Sequence, residues 1–151
     1  MEELVSYKII DRVELAHTKV ELRDDDIIQF FYGDNINYTM KETEELIDVT
    51  VKMTKGVVHK MLRIPGKFSN IDIEVMKYIS RGRGTLYSLA DSFVLFSMPQ
   101  RILGNFYLRM NKPLVPTKLF NEVIEADKWL QSLDTEELRR VHKLRVAQFN
   151  Q

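Results

Sequence analysis

The chain has 151 residues, of which 22 are basic, 22 acidic and none cysteine, and 44% are hydrophobic. This length and apolar content are typical of one soluble domain with a sizeable buried core. The zero net charge gives no global attraction to nucleic acid, and the lack of cysteine excludes disulfides, thiolate zinc sites and a cysteine nucleophile.

The ends of the chain and its longest apolar run indicate a cytoplasmic protein. The N-terminus has no apolar segment of signal-peptide length, and the run Phe93-Val94-Leu95-Phe96 is far too short to span a bilayer. We therefore expect no stable membrane insertion and no nucleic-acid partner.

The first third of the sequence predicts strands and then one helix. Residues 7–13, 18–22 and 27–32 are rich in β-branched and aromatic side chains, and the polar turn that follows residue 22 predicts a hairpin between the last two strands. Thr39 and Glu42 have the spacing of a capping box, which predicts a helix over about residues 40–55.

The middle of the sequence predicts a strand, a loop, a helix and a buried strand. Residues 57–64 form the first strand, and a second capping-box spacing, Ser69 to Asp72, places a helix N-terminus at Ser69. Residues 92–96 are continuously apolar, as in a strand that is buried on both faces.

A further helix is predicted to begin at Ser97 and to pack inward through Ile102, Leu103, Phe106 and Met110. Two prolines then deliver residues 117–120 to the sheet as an edge strand. Asn121 is expected to cap the last packed helix.

Alternating strands and helices predict an α/β fold, with a mainly parallel sheet of four to five strands, an antiparallel N-terminal hairpin and about four packed helices. Residues 1–133 are expected to form this domain, and residues 134–151 a C-terminal helical extension. That helix is basic and amphipathic. We expect it to dock on its own domain or on a second subunit rather than on nucleic acid or acidic lipid; its basic face comprises Arg139, Arg140, Lys143 and Arg145.

Three segments of the chain carry a resemblance to a known family. They are the stretch Arg-Ile-Leu-Gly-Asn-Phe-Tyr-Leu from Arg101, the Asn-Lys-Pro from Asn111 with the Pro-Thr-Lys-Leu-Phe from Pro116, and the Glu-Ala-Asp-Lys-Trp-Leu from Glu125. With the element order, they resemble the bacterial, largely uncharacterised STAS/SEC14-like proteins. The resemblance implies a STAS-like (SpoIIAA-like) domain, the fold of the stage II sporulation protein AA, an anti-sigma-factor antagonist.

The resemblance also implies a regulatory site. In anti-sigma-factor antagonists, a serine at the start of the helix after the second core strand is phosphorylated to switch partners, and Ser69 matches it by position. The loop here has the sequence Gly-Lys-Phe-Ser-Asn and not the Asp-Ser-Ser-Gly-like sequence of those members. A serine is also a preferred helix N-cap for structural reasons alone.

No residue pattern indicates catalysis, a cofactor or a metal. The three histidines lie far apart in the sequence, the Gly66-Lys67 pair lacks the other residues of a phosphate-binding loop, and no Gly-x-Ser-x-Gly motif is present. We therefore expect a protein that is not an enzyme and has no cofactor.

Two functions remain open from the sequence. The first is a non-enzymatic, STAS-type regulatory domain that binds a protein partner or itself, with Ser69 as a phosphosite candidate and a docking loop of Pro65, Gly66, Lys67, Phe68 and Asn70. The alternative is a SEC14-like carrier of a small hydrophobic ligand or lipid, with an apolar pocket formed by Met53, Met61, Met76, Phe93 and Phe106. The same apolar residues would also serve as ordinary core.

Overall fold

The computed structural model describes residues 6–151, which form an α/β domain around a mixed six-stranded sheet. The eight strands of this part are β1 (Ile9–Glu14), β2 (Thr18–Arg23), β3 (Ile27–Tyr32), β4 (Asn37–Tyr38), β5 (His59–Ile64), β6 (Asn70–Ile71), β7 (Ser88–Val94) and β8 (Thr117–Phe120). The five helices are α1 (Met40–Thr54), α2 (Ile73–Ser80), α3 (Met98–Asn111), α4 (Val123–Ser132) and α5 (Thr135–Phe149), with a short 3-10 helix at Arg83–Tyr87.

The sheet has the order β1-β2-β3-β5-β7-β8. The first three strands are antiparallel neighbours, and β3, β5, β7 and β8 run parallel to one another. The predicted hairpin, β2 with β3, is confirmed, as is the edge position of β8. The prediction of four to five strands is wrong, because β1 continues the antiparallel side of the same sheet.

Helices cover both faces of the sheet, since side chains on successive residues of a strand point to opposite faces. On one face, Leu46 of α1 packs with Phe30 and Met61, and Val75 and Ile79 of α2 pack with Phe93. On the other face, Ala126 and Leu130 of α4 pack with Leu62 and Val94. All seven residues of β7 are buried, so the predicted strand covered on both faces is present. Its bounds of 92–96 were wrong, because the strand is Ser88–Val94 and Phe96 is 59% exposed.

Most of the predicted helix starts are confirmed. Thr39 and Glu42 form the capping box of α1, Ser97 accepts a hydrogen bond from the amide of Gln100, and Asp134 caps α5 by accepting from the amide of Glu137. The residue at the N-cap of α4 is Glu122, one position after the predicted Asn121.

The start of α2 differs from the prediction. Asn70 and Ile71 form the two-residue strand β6, which pairs in parallel with β4 and ties together the loops after β3 and β5. The N-cap is therefore Asp72 and not Ser69. The capping-box spacing gave a wrong helix start because Asn70 and Ile71 pair with β4 instead of forming the first turn of α2.

Candidate functional site

An apolar groove lies between α2, α3 and the parallel part of the sheet. It encloses about 780 Å³, including the solvent at its open side. Apolar side chains line most of it, and Ser69, Asn70 and Gln100 supply its polar groups. The groove is lined by Tyr32, Tyr38, Pro65, Ser69, Asn70, Ile71, Met76, Ile79, Phe93, Leu95, Gln100, Leu103, Gly104, Tyr107 and Leu119.

A second cavity, between α1, α2 and the sheet, shares a wall with this groove. Tyr32, Tyr38 and Phe93 line both spaces, while Met61 and Arg63 line only the second. The second cavity encloses about 630 Å³ by the same measure. Both figures include open solvent, and the space that a water-sized sphere can occupy is about 110 Å³ in the groove and about 60 Å³ in the second cavity.

A charged cluster lies in the wall of the second cavity. The guanidinium of Arg63 donates from Nε to Asp91 Oδ1 at 3.1 Å and from a terminal nitrogen to the Tyr32 hydroxyl at 2.9 Å. The Arg63 guanidinium carbon also lies 5.5 Å and 5.8 Å from the ring centres of Phe30 and Phe93. The cluster therefore fixes one charged pair between two aromatic rings.

The electrostatics of this cluster favour fixed protonation states. Burial alone would lower the pKa of Arg63, but the neighbouring Asp91 carboxylate raises it above its usual value. Burial raises the pKa of the Tyr32 hydroxyl, and it raises that of Tyr107 to about 12. Near neutral pH these three side chains keep their protons, so none of them can act as a general base.

The loop of residues 65–70 borders the groove and is held in place by hydrogen bonds. The Gln100 side chain donates to the Gly66 carbonyl at 3.1 Å, and the Lys67 amide donates to Asp34 at 2.7 Å. A side chain at Gly66 would place its Cβ 2.3 Å from the Gly33 carbonyl oxygen, so this close approach requires glycine. Pro65 and Asn70 line the groove itself.

Phe68 is the most exposed large apolar residue of this loop. Its side chain is 86% exposed, and its φ of 57° lies in the left-handed region, which a bulky residue rarely adopts. Hydrogen bonds of the neighbouring residues Lys67 and Ser69 hold this conformation. Without them, an exposed ring and a positive φ would both be unfavourable.

Ser69 lies on the groove wall and not at a helix terminus. Its hydroxyl donates to the Gly66 carbonyl at 2.7 Å, and α2 begins four residues later. Ser69 is therefore not the N-cap of α2, contrary to the prediction from the sequence. The free amides and the dipole of that helix do not act on Ser69 from an N-cap position.

The five residues of the predicted apolar pocket are not gathered at one place. Met61 and Phe93 line the second cavity, and Met76 lines the groove together with Phe93. Met53, in the last turn of α1, packs against the core, and Phe106 is 59% exposed on the outer side of α3.

The predicted inward stripe of α3 is wrong. Its members are between 57% and 64% exposed, and α3 instead packs through Gly104 and the buried Tyr107; the exposed members are Ile102, Leu103, Phe106 and Met110. A Cβ at position 104 would lie 2.6 Å from a methyl group of Leu95, so the glycine lets α3 approach the sheet closely on that side.

The basic face of α5 is divided between the domain and the solvent. Arg145 is buried and donates to the carbonyls of Thr85 and Leu114 at 3.4 and 3.5 Å, and Arg139 donates to the Val58 carbonyl at 3.3 Å. Arg140 pairs with Glu137 on the same helix, and Lys143 is exposed. Helix α5 therefore docks on its own domain through part of its basic face.

Sequence reasoning missed Arg63, Tyr32 and Tyr107. One signal was available: Arg63 interrupts the apolar run of a strand that had to be buried, and a buried cation requires a charged or aromatic partner. Nothing in the local sequence identifies Asp91 as that partner, because the pairing depends on strand register.

Residues 6–151 offer neither a cluster of metal ligands nor a helix that could span a membrane. No group of three or more histidine or acidic side chains lies close enough to hold a metal ion. None of the helices there is both long and apolar enough to cross a bilayer.

The fold and the groove together define an α/β domain with an open apolar groove beside the parallel part of its sheet. The family model of a domain of unknown function, DUF7793, matches residues 20–134, and the chain belongs to this family. No curated protein and no solved structure matches the chain.

Proposed function

We propose that this protein is a non-enzymatic binding protein of the STAS-like class that takes a small hydrophobic ligand, such as a lipid chain, into the groove between α2 and α3. The observation that carries the proposal is the groove itself, which is open on one side and lined mainly by apolar and aromatic side chains.

The polar groups at the groove support binding rather than catalysis. The hydroxyl of Ser69 and the amide of Gln100 both reach the Gly66 carbonyl, and Arg63, Asp91 and Tyr32 satisfy one another in the adjoining wall. These hydrogen bonds fix the shape of the site and leave no visible proton donor and acceptor pair aimed at a common point.

A STAS-type protein-interaction role is the second candidate, and the loop of residues 65–70 favours it. Phe68 is held outward in a left-handed conformation, and exposed aromatic residues held in this way are typical of contact surfaces. In this form the partner is another protein or a second copy of the chain, and phosphorylation of Ser69 would break its hydrogen bond to Gly66 and add negative charge beside the groove.

The ligand proposal is tested with the neutral fluorescent probe N-phenyl-1-naphthylamine. We expect saturable binding of about one probe per chain, and Met76→Trp should reduce the affinity at least about ten-fold, because the larger side chain occupies space that the probe needs. Fluorescence titration measures both quantities.

The matched control is Met110→Trp, the same substitution on the exposed side of α3 and outside the groove. It should leave probe binding unchanged. Binding that is absent in the wild type, or that is equal in wild type and Met76→Trp, contradicts the ligand proposal.

The second candidate makes a different prediction. If the chain associates with itself through the loop, Phe68→Gly should weaken the association in sedimentation equilibrium without lowering the melting temperature, since the ring is exposed and glycine accepts the positive φ. Lys67→Gly, on the neighbouring exposed residue, is the control. Equal association of wild type and Phe68→Gly argues against the loop as the self-contact.

A further inference from the structure

The outer face of α3 carries a continuous row of exposed apolar side chains, which we name the α3 ridge. Its members are spaced by one, three or four residues, so they lie on one side of the helix. Each is more than half exposed; they are Met98, Ile102, Leu103, Phe106 and Met110.

The ridge continues beyond both ends of the helix. Phe96, two residues before α3, is 59% exposed, and Leu114, three residues after it, is 40% exposed. Single exposed apolar residues are common on protein surfaces, but a contiguous row rimmed by polar groups marks an interaction site.

The charged residues in the segment that carries the ridge have one sign. From Ser92 to Asn121 the sequence contains no aspartate or glutamate, while it contains Arg101, Arg109, Lys112 and Lys118. The chain as a whole is neutral, so these cations are a local feature. Arg101 bonds to the amide oxygen of Asn121 at 2.7 Å rather than to a carboxylate in that contact, so the bond does not offset its charge.

This charge pattern decides what covers the ridge. A second copy that used the same face would bring Arg101 and Arg109 against the same cations of its partner, so the face is not complementary to itself. The ridge is also the outer side of a helix and not a groove that could receive a partner helix. An anionic bilayer surface offers both an apolar layer for the ridge and negative charges for its cations.

We propose that α3 docks the protein on anionic membrane surfaces, with the helix lying in the plane of the interface. The ridge enters the boundary between headgroups and acyl chains, and Arg101 and Arg109 contact anionic lipid headgroups. At 14 residues, α3 is about 21 Å long, too short to cross the hydrocarbon layer.

The proposal goes beyond the groove and does not depend on it, because Leu103 alone of the ridge residues also lines the groove. Probe binding without membrane binding would contradict this inference and leave the proposed function intact. Membrane binding without probe binding would support this inference and contradict the proposed ligand-binding function.

The test is cosedimentation of the full chain with sucrose-loaded vesicles at low ionic strength. We expect binding to vesicles of phosphatidylcholine with phosphatidylglycerol, and much weaker binding to phosphatidylcholine alone. Arg101→Gln with Arg109→Gln should weaken the partitioning roughly twenty-five-fold, about five-fold for each cation. Phe106→Ser should weaken it at least about ten-fold, since a large apolar side chain no longer enters the interface.

The matched control is Leu144→Ser with Lys143→Gln on α5. It removes a leucine about as exposed as Phe106, together with an exposed cation. Circular dichroism checks that each variant is folded. The proposal is overturned by equal binding to both vesicle types, by an equal loss in the control, or by a dimer in sedimentation equilibrium that Phe106→Ser converts to monomer.

Discussion

At the scale of single residues, the most consequential side chain outside the groove is Arg23. It is 1% exposed, and it donates to Asp127 at 2.6 Å and to Asp25 at 2.6 Å, which ties β2 to α4 across 104 residues of sequence. Burial raises the pKa of the Asp127 carboxyl, and the hydrogen bond and charge of Arg23 act against that rise. The guanidinium thus holds two carboxylates beside it at the contact between β2 and α4.

Replacing Arg23 should cost more stability than its own contacts suggest. We expect Arg23→Met to lower the free energy of unfolding by about 3–5 kcal/mol, because it leaves Asp127 buried without its cation. Urea denaturation at pH 7 measures the change. The double variant Arg23→Met with Asp127→Leu should recover most of the loss, and a double variant as unstable as Arg23→Met would show that the buried charge is not the cause.

The sequence placed Arg23 in a polar turn, where it would be solvated. Its burial could not be predicted, because it depends on α4 returning across the sheet and bringing Asp127 to the end of β2. Gly66, by contrast, was correctly assigned to the segment that breaks the strand before it, although its contact with Gly33 involves two loops that are 33 residues apart.

At the scale of elements, α5 shows how one helix combines two roles. Its N-terminal turn carries Leu138 against the core beneath α4, while Arg145 and His142 reach the carbonyls of the 3-10 helix before β7. Burial lowers the pKa of Arg145, opposed only by the more distant Asp91 charge. The helix therefore uses Arg145 and His142 as hydrogen-bond donors to backbone carbonyls.

The docking of α5 can be tested by comparing two of its arginines. Arg145→Met should lower the free energy of unfolding by about 1–3 kcal/mol, because two carbonyls at the helix contact lose their donor. Arg140→Met, which removes an exposed arginine paired within the helix, should cause little change. Thermal and urea unfolding measure both; equal effects would mean that the contacts of Arg145 do not hold α5.

Helix α3 shows why an amphipathic pattern alone is ambiguous. The pattern correctly predicted a helix with one apolar face. The prediction that this face packs inward was wrong, because it assumed that an apolar face is always covered by the rest of the same chain. The packing side is instead marked by Gly104 and Tyr107, a small and a large residue three positions apart.

At the scale of the whole molecule, the order of strands and helices was predictable because each element carries its own period and caps. Hydrophobic period, capping spacing and prolines are local, and they located α1, α3, β3 and β8 to within a few residues. The number of strands in the sheet and the position of the groove depend on which distant segments become neighbours. Those contacts leave no signature in a single sequence.

The two-residue ladder between β4 and β6 has a consequence for the way a ligand reaches the groove. Tyr38 and Ile71 of this ladder line the groove, and the segment is joined by a few bonds such as the Asn70 amide to the Ile36 carbonyl at 2.8 Å. Tyr38 is nevertheless anchored to the sheet, because its hydroxyl bonds to Thr18 and to the backbone of His17 and Gly33. In the proposed ligand-binding role, local opening on the Ile71 side would widen the groove while the six-stranded sheet stays folded, so that ligand entry would be governed by local rather than global stability.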